Sequence, residues 1–204
     1  RVQMAPSKER INTKKLTDEE LIFNFQEGDT GAYNEIVARY KDRLTNYIYR
    51  YVGNFDDCDD IVQDTFVKVY TSKHLYKEIA KFSTWIYTIA INLAKTKLVK
   101  AQKYKTFSIS DVYDDENKDF DLPDEAYGGP EVDVNSKFLS AHIQKALDKI
   151  NENYRELVVL RDIEDFSYEE IVDMTGLPMG TVKSRINRGR EKLQELLKDI
   201  YKEE

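Results

Sequence analysis

Cysteine is nearly absent: Cys58 stands alone among 204 residues. A single thiol excludes a disulfide framework and a cysteine-based zinc site. Its place in a helical stretch makes it a helix residue near the surface with no redox role. Histidine occurs only as His74 and His142, isolated from each other and from any carboxylate at metal-ligand spacing. No Gly-rich phosphate loop and no nucleophile motif is present. The expected protein is therefore not an enzyme and needs no metal and no cofactor. Glycine and proline are scarce, at 8 and 4 residues, and no alternating strand pattern or internal repeat occurs. The longest apolar run, Trp85–Ala94, is well short of the about 20 residues that span a bilayer. No signal-peptide pattern is visible, so the expectation is a cytoplasmic protein without membrane insertion.

What is present is charge and helical periodicity. Charged residues make up 34% of the chain and hydrophobic ones 41%, a balance that suits an all-α fold. The net charge of −7 is unevenly placed. Tyr104–Asn135 carries ten acids and two lysines, whereas Lys77–Lys103 holds six lysines and one glutamate. Local charge governs contact with phosphates, and total charge does not.

The first half reads as four helices. Thr17 and Glu20 form a capping box ahead of Leu21, Ile22 and Phe25. Asp29 or Thr30 caps a helix over 31–52, in which Tyr33, Ile36, Val37, Tyr40, Leu44, Tyr47, Ile48 and Tyr51 follow the i, i+3, i+4 rule. Asp56 or Asp57 opens a third helix to about Tyr70, with Ile61, Val62, Phe66, Val67 and Val69 as its apolar set. A Lys- and aromatic-rich loop follows. Ser83 then caps a fourth helix over 84–100, with Phe82, Ile86, Ile89, Leu93 and Lys97 on one side. Residues 104–135, with Leu122-Pro123, Gly128-Gly129-Pro130 and the acid run, read as a flexible linker. Helices over 136–150 and 153–163 come next.

Ser167–Leu193 is the most informative stretch. Ser167 and Glu170 form a second capping box, Gly176 and Pro178 break the helix, and a basic helix begins beyond. At about 100° per residue, Val182, Ile186, Gly189 and Leu193 share one side of it. Ser184, Asn187 and Arg188 face the other way, with Gly180 and Thr181 at the N-terminal end and Lys183, Arg185 and Arg190 on the flanks. Such a helix suits a major groove: the front reads base edges and the flanks neutralise phosphates.

Three further segments, in this order and spacing, carry a family resemblance. These are Asp59-Asp60-Ile61-Val62-Gln63-Asp64-Thr65-Phe66, then Phe82-Ser83-Thr84-Trp85-Ile86-Tyr87-Thr88-Ile89-Ala90-Ile91-Asn92-Leu93-Ala94, then Leu177-Pro178-Met179-Gly180-Thr181-Val182-Lys183-Ser184-Arg185. Over residues 17–197 the chain resembles a bacterial RNA polymerase sigma factor of the extracytoplasmic-function (ECF) group. The resemblance implies an all-α protein of two small helical domains joined by a flexible acidic linker, the second a helix-turn-helix domain of four helices. It divides the chain into a disordered segment 1–16, a core-binding and downstream-promoter domain 17–103, the linker 104–135 and an upstream-promoter domain 136–204.

It also implies roles for the residues. Asp60, Ile61, Gln63, Asp64 and Phe66 would dock on the clamp helices of the polymerase's largest subunit, with the flap region a further polymerase contact. Lys81, Phe82, Trp85, Asn92, Lys95 and Lys97 would hold the downstream promoter element as a single strand, cations following the backbone and rings or pockets taking unstacked bases. Trp85 reads more readily as a packing residue, since a lone Trp in a helix is usually core. Gly180, Thr181, Lys183, Ser184, Arg185, Asn187, Arg188 and Arg190 would bind the upstream element. Thr88 and Ile91 stand where arginine is frequent in the group, and Val172 where alanine is usual. The linker of about thirty residues reaches at most about 100 Å, enough for two elements about 17 base pairs, or roughly 60 Å, apart. In the family it threads the polymerase's nucleic-acid channel. An anti-sigma factor is the implied regulator. A stand-alone helix-turn-helix regulator that binds duplex DNA without polymerase remains the alternative reading.

Overall fold

The computed structural model describes residues 13–108 and 134–198. Every regular element among them is helical: α1 (Asp18–Gln26), α2 (Thr30–Val52), α3 (Phe55–Ser72), α4 (Phe82–Ser108), α5 (Val134–Lys149), α6 (Glu152–Val158), α7 (Tyr168–Thr175) and α8 (Met179–Leu197). Three-residue 3₁₀ turns lie at Thr13–Lys15 and Lys73–Leu75, and a π-turn at Val159–Ile163 continues α6.

Local chemistry starts four of these helices. The hydroxyls of Thr17 and Ser167 accept from the Glu20 and Glu170 amides, and both glutamates reach back to the cap amide, completing the two expected capping boxes. Asp29 accepts from the Gly31 and Ala32 amides, so it, and not Thr30, caps α2. Asn151 caps α6. Gly53 and Gly176 close α2 and α7 in the left-handed conformation, at φ of 77° and 67°.

Helix α4 departs from expectation at both ends. It begins at Phe82, whose amide donates to Glu19 Oε1 of α1 at 3.0 Å. The cap is thus supplied from another helix, and Ser83 already lies inside. Helix α4 also runs to Ser108 and α5 starts at Val134, so the linker is shorter than 104–135 and its remainder, 109–133, lies outside the described residues. At the N-terminus, residues 1–12 lie outside as well. Residues 13–16 are held in place: the Arg39 guanidinium donates to the carbonyls of Thr13, Lys14 and Leu16 and pairs with Asp18 at 2.8 Å.

The first domain, α1–α4, closes around Phe25, Ile36, Tyr40, Ile48, Phe82 and Ile86. The second, α5–α8, closes around Leu157, Ile171, Met174, Val182 and Ile186. The two then pack on each other, α7 against α4 and the π-turn, α5 and α6 against α2. This docking explains burial that the helical stripes did not predict. Tyr49 and Arg50 of α2 and Tyr87 and Ile91 of α4 are buried although they lie off the expected apolar sides. Two further expectations are corrected. Cys58 is fully buried, with its thiol donating to the Thr45 carbonyl, and burial pushes the thiol up to about 12. Val67, assigned to the apolar set of α3, is 60% exposed.

Helices α6 and α8 approach most closely at Gly189, where an added Cβ would stand 2.5 Å from Val158 Cγ2. At Gly180, in the first turn of α8, it would meet nothing within 4 Å. Gly189→Ala should lower unfolding stability by about 1–3 kcal/mol through overpacking, while Gly180→Ala should raise it by up to about 1 kcal/mol. Urea denaturation of the two variants checks this opposition of sign.

Candidate nucleic-acid interface

Three faces gather the predicted site residues. On α3, Asp60, Gln63 and Asp64 are exposed at i, i+3, i+4. Gln63 is held by its amide donating to Asp59 at 2.8 Å. Ile61 and Phe66 do not join this face. Both are buried, so they support it from beneath. The exposed apolar neighbours are instead Val67 and Tyr70.

Lys81, immediately ahead of α4, and Trp85, Thr88, Asn92 and Lys95 on it recur at i, i+4, i+7, i+11 and i+14 and so share one side. Asn92 is exposed and Trp85 half-buried, tilted against Tyr76 and Phe82 at 5.5 and 5.8 Å between ring centroids. Two predicted members are off this face. Phe82 is fully buried between Tyr40 and Tyr76, edge-on to both, so it shapes the site and cannot touch a strand. Lys97 points away and pairs with Asp60 at 2.9 Å and Asp57 at 3.2 Å, joining α4 to α3. Hydrogen bonding to these two carboxylates raises the Lys97 pKa.

The loop ahead of α4 is held by its backbone. Gln26 Nε2 donates to the carbonyls of Lys73 and Tyr76, and the Tyr76 hydroxyl donates to the Ala80 carbonyl. Lys73 Nζ donates to the Phe25 carbonyl and lies 4.1 Å from the centroid of the Phe25 ring. This frame leaves Leu75 and Ile79 at 72% and 89% exposure. Sequence reading passed over both, although two apolar residues without helical partners in a Lys-rich loop are a usable signal.

On α8, Val182, Ile186 and Gly189 are buried and Ser184, Asn187 and Arg188 exposed, as the periodicity requires. The flanks are unequal. Thr181, Ser184, Arg185 and Arg188 line an open groove of roughly 400 Å³ with Asn151, Asn153 and Tyr154 of α6. The α6 residues were not foreseen, because they lie near 30 positions away in sequence. On the other shoulder Lys183 lies 5.7 Å from the Tyr168 ring centroid, and Arg190 donates twice to Asp162, from Nε at 2.9 Å and Nη2 at 2.5 Å. Arg190 therefore braces α8 against the π-turn. Among the described residues no cluster of His, Cys, Asp or Glu could hold a metal ion, and no helix is long and apolar enough to cross a membrane.

The chain matches the family models for Sigma-70 region 2 over residues 36–104 and Sigma-70, region 4 over 141–193. It is 32% identical over 190 residues to the ECF RNA polymerase sigma-E factor of Escherichia coli K12, covering 93% of this chain and 99% of that one. The same named factor of Haemophilus influenzae is 32% identical over 187 residues, covering 92% and 98%. The fold is similar to that of the sigma factor RpoE from Bartonella quintana, solved with the anti-sigma factor NepR, at TM-score 0.65 and 25% identity over 81% of this chain and 96% of that one. It is also similar to CnrH, solved with the cytosolic domain of CnrY, at TM-score 0.64 and 24% identity over 89% and 97%. The chain belongs to the sigma-70 family of transcription initiation factors. Within that family it is an ECF sigma factor, the region 2 match falling on α2–α4 and the region 4 match on α5–α8.

Gln26→Ala removes two hydrogen bonds from the loop frame. It should cost about 1–2 kcal/mol of stability, with faster amide hydrogen exchange over residues 73–81 than over α2. Unchanged exchange in the loop would mean that Lys73 and Tyr76 alone hold it.

Proposed function

We propose that this sigma factor binds core RNA polymerase through the polar stripe of α3, reads an upstream promoter element with α8, and holds the opened downstream element on α4 and the loop before it. The observation that carries this reading is the presence of two chemically different nucleic-acid faces on one chain. Helix α8 presents small polar side chains and Arg188 between cations, with an apolar back, which suits base edges in a duplex groove. Helix α4 presents cations at the ends of a face with Trp85 and Asn92 between them, which suits a single strand. Extruding a base costs a few kcal/mol, and capture on such a face offsets that cost. The relative solved with the anti-sigma factor NepR supports an anti-sigma factor as a regulating partner.

The reading requires the two domains to separate on a promoter. While docked, the path from Lys81 across Glu170 and along α7 to Ser184 is at most about 45 Å. Two elements about 17 base pairs apart lie roughly 60 Å from each other.

Transcription by purified core polymerase from a library of promoter fragments should begin at a defined subset only when this chain is added. Tight duplex binding by the chain alone, with no initiation, would favour the stand-alone regulator. Gln63→Ala combined with Asp64→Ala should weaken core binding while leaving the circular-dichroism melt unchanged; unaltered core affinity would remove α3 from the contact. Arg188→Ala should cost about 1–3 kcal/mol at one upstream base, whereas Arg185→Ala should weaken all upstream sequences evenly. Equal losses on every sequence for both variants would overturn the assignment of faces on α8.

A further inference from the structure

Helix α8 has two unlike sides. Thr181, Ser184, Arg185 and Arg188 recur at i, i+3, i+4 and i+7 and form one stripe along it. That stripe is one wall of the open groove, and Asn151, Asn153 and Tyr154 of α6 are the other. Among the described residues that line it are two arginines and no acid.

Gly189 makes this groove. It is buried one turn beyond Arg185, and an added Cβ would lie 3.4 Å from Tyr154 Cβ and 3.5 Å from the Tyr154 carbonyl oxygen. With no side chain at 189, the backbone of α6 comes up against α8 and carries Asn153 and Tyr154 alongside Arg185 and Arg188. Asn151 Oδ1 accepts the Asn153 amide at 3.0 Å, which steadies the α6 wall. On the α8 wall the Ser184 hydroxyl donates to the Thr181 carbonyl at 3.1 Å, so its proton is turned back to its own helix. The donors that can meet an incoming anion are therefore the guanidiniums on one wall and the Asn153 amide and Tyr154 hydroxyl on the other.

A helix about 10–12 Å across fills a major groove about 12 Å wide, so the phosphates of the two strands run along its two sides. Lys183 and Arg190 stand on one side of α8, beside Tyr168 and Asp162. The strand on the other side enters the groove against α6. We infer that this groove is a backbone slot for the upstream duplex, in which Asn153 and Tyr154 hold a phosphodiester against Arg185. This rests on the reading of α8 as the upstream reader. A phosphodiester offers acceptor oxygens and no donor, which matches the lining. Contacts to phosphate carry no sequence information; they fix how deep and at what tilt a reading helix lies. Asn153 and Tyr154 are thus positioning residues, and they set the register in which Ser184, Asn187 and Arg188 meet base edges.

The test uses holoenzyme assembled from core polymerase and the full chain, on a promoter drawn from the transcription library. Single phosphates around the upstream element are replaced, one at a time on each strand, by uncharged methylphosphonates. The unaltered chain should bind about tenfold more weakly when the replacement falls in one short run on one strand. Asn153→Ala with Tyr154→Phe removes both donors and keeps the Tyr154 ring over Gly189. This pair should bind the unmodified promoter about tenfold more weakly, whatever the upstream sequence. A methylphosphonate in the same run should then cost it less than about twofold more. Penalties on the opposite strand should be unchanged. Both lost groups are neutral, so the salt dependence should match that of the unaltered chain, whereas Arg185→Ala should lower its slope by about 1. Asn153→Ala alone, at an exposed position, should show the same pattern in smaller measure.

Full promoter affinity in the double variant overturns the proposal. Weaker binding with every methylphosphonate penalty retained also overturns it, since the two residues would then support α8 without touching a phosphate. Holoenzyme binding that ignores the upstream sequence with the unaltered chain overturns it through the reading of α8 on which it rests.

Discussion

Tyr87 is the point on which the arrangement of the two domains depends. It is fully buried in α4, its hydroxyl donates to Glu164, and its ring meets Phe166 at 4.8 Å between centroids. Arg43 of α2 lies 5.9 Å from the same ring. A tyrosine suits this place because it brings a large apolar ring and one polar tip to a seam that is apolar on one side and acidic on the other. Burial raises the pKa of Tyr87, which keeps its hydroxyl protonated and able to donate.

Glu164 and Phe166 reach Tyr87 because the backbone between α6 and α7 is irregular. Val159–Ile163 forms a π-turn, the Glu164 amide bonds the Val159 carbonyl, and Asp165 adopts a left-handed conformation at φ of 59°. A wide turn shifts the helical register by one position, and aspartate tolerates the left-handed region better than most residues. The Phe166 amide then bonds the Leu160 carbonyl, and Arg161 donates to the Phe166 carbonyl at 2.8 Å. The turn also carries Asp162, which holds Arg190. One irregular segment thus sets both the seam between the domains and the seat of α8.

What the sequence made legible follows from what is local. Both capping boxes, the glycine stop at position 176, and the buried side of α8 depend on residues close together in sequence, and all are found where expected. What it hid depends on residues far apart. Phe82 carried a motif and aromatic chemistry, yet the groups that bury it, Tyr40 and Tyr76, come from α2 and the loop. Lys97 and Arg190 looked like free cations because Asp60 and Asp162 sit 37 and 28 positions away. Cys58 looked superficial because four acids flank it in sequence, while the helix turns the thiol inward to Thr45. The α4 stripe was drawn too narrow for a related reason: periodicity describes a helix against one neighbour, and α4 has neighbours on two sides.

The same distinction separates the two nucleic-acid faces. Arg185 and Arg188 line the α8 groove, and Ser184 and Asn187 are exposed. Each lysine assigned to the downstream reader meets a carboxylate: Lys81 with Glu170, Lys95 with Glu156, and Lys97 with Asp57 and Asp60. Ion pairs as exposed as that of Lys81 are weak singly and screened by salt. A site closed by several of them opens to a polyanion that meets all of them together, whereas an isolated small anion gains too little at any one. Among the described residues the cations assigned to the upstream reader carry one such pair, Arg190 with Asp162, so competition by a polyanion bears mainly on the downstream set.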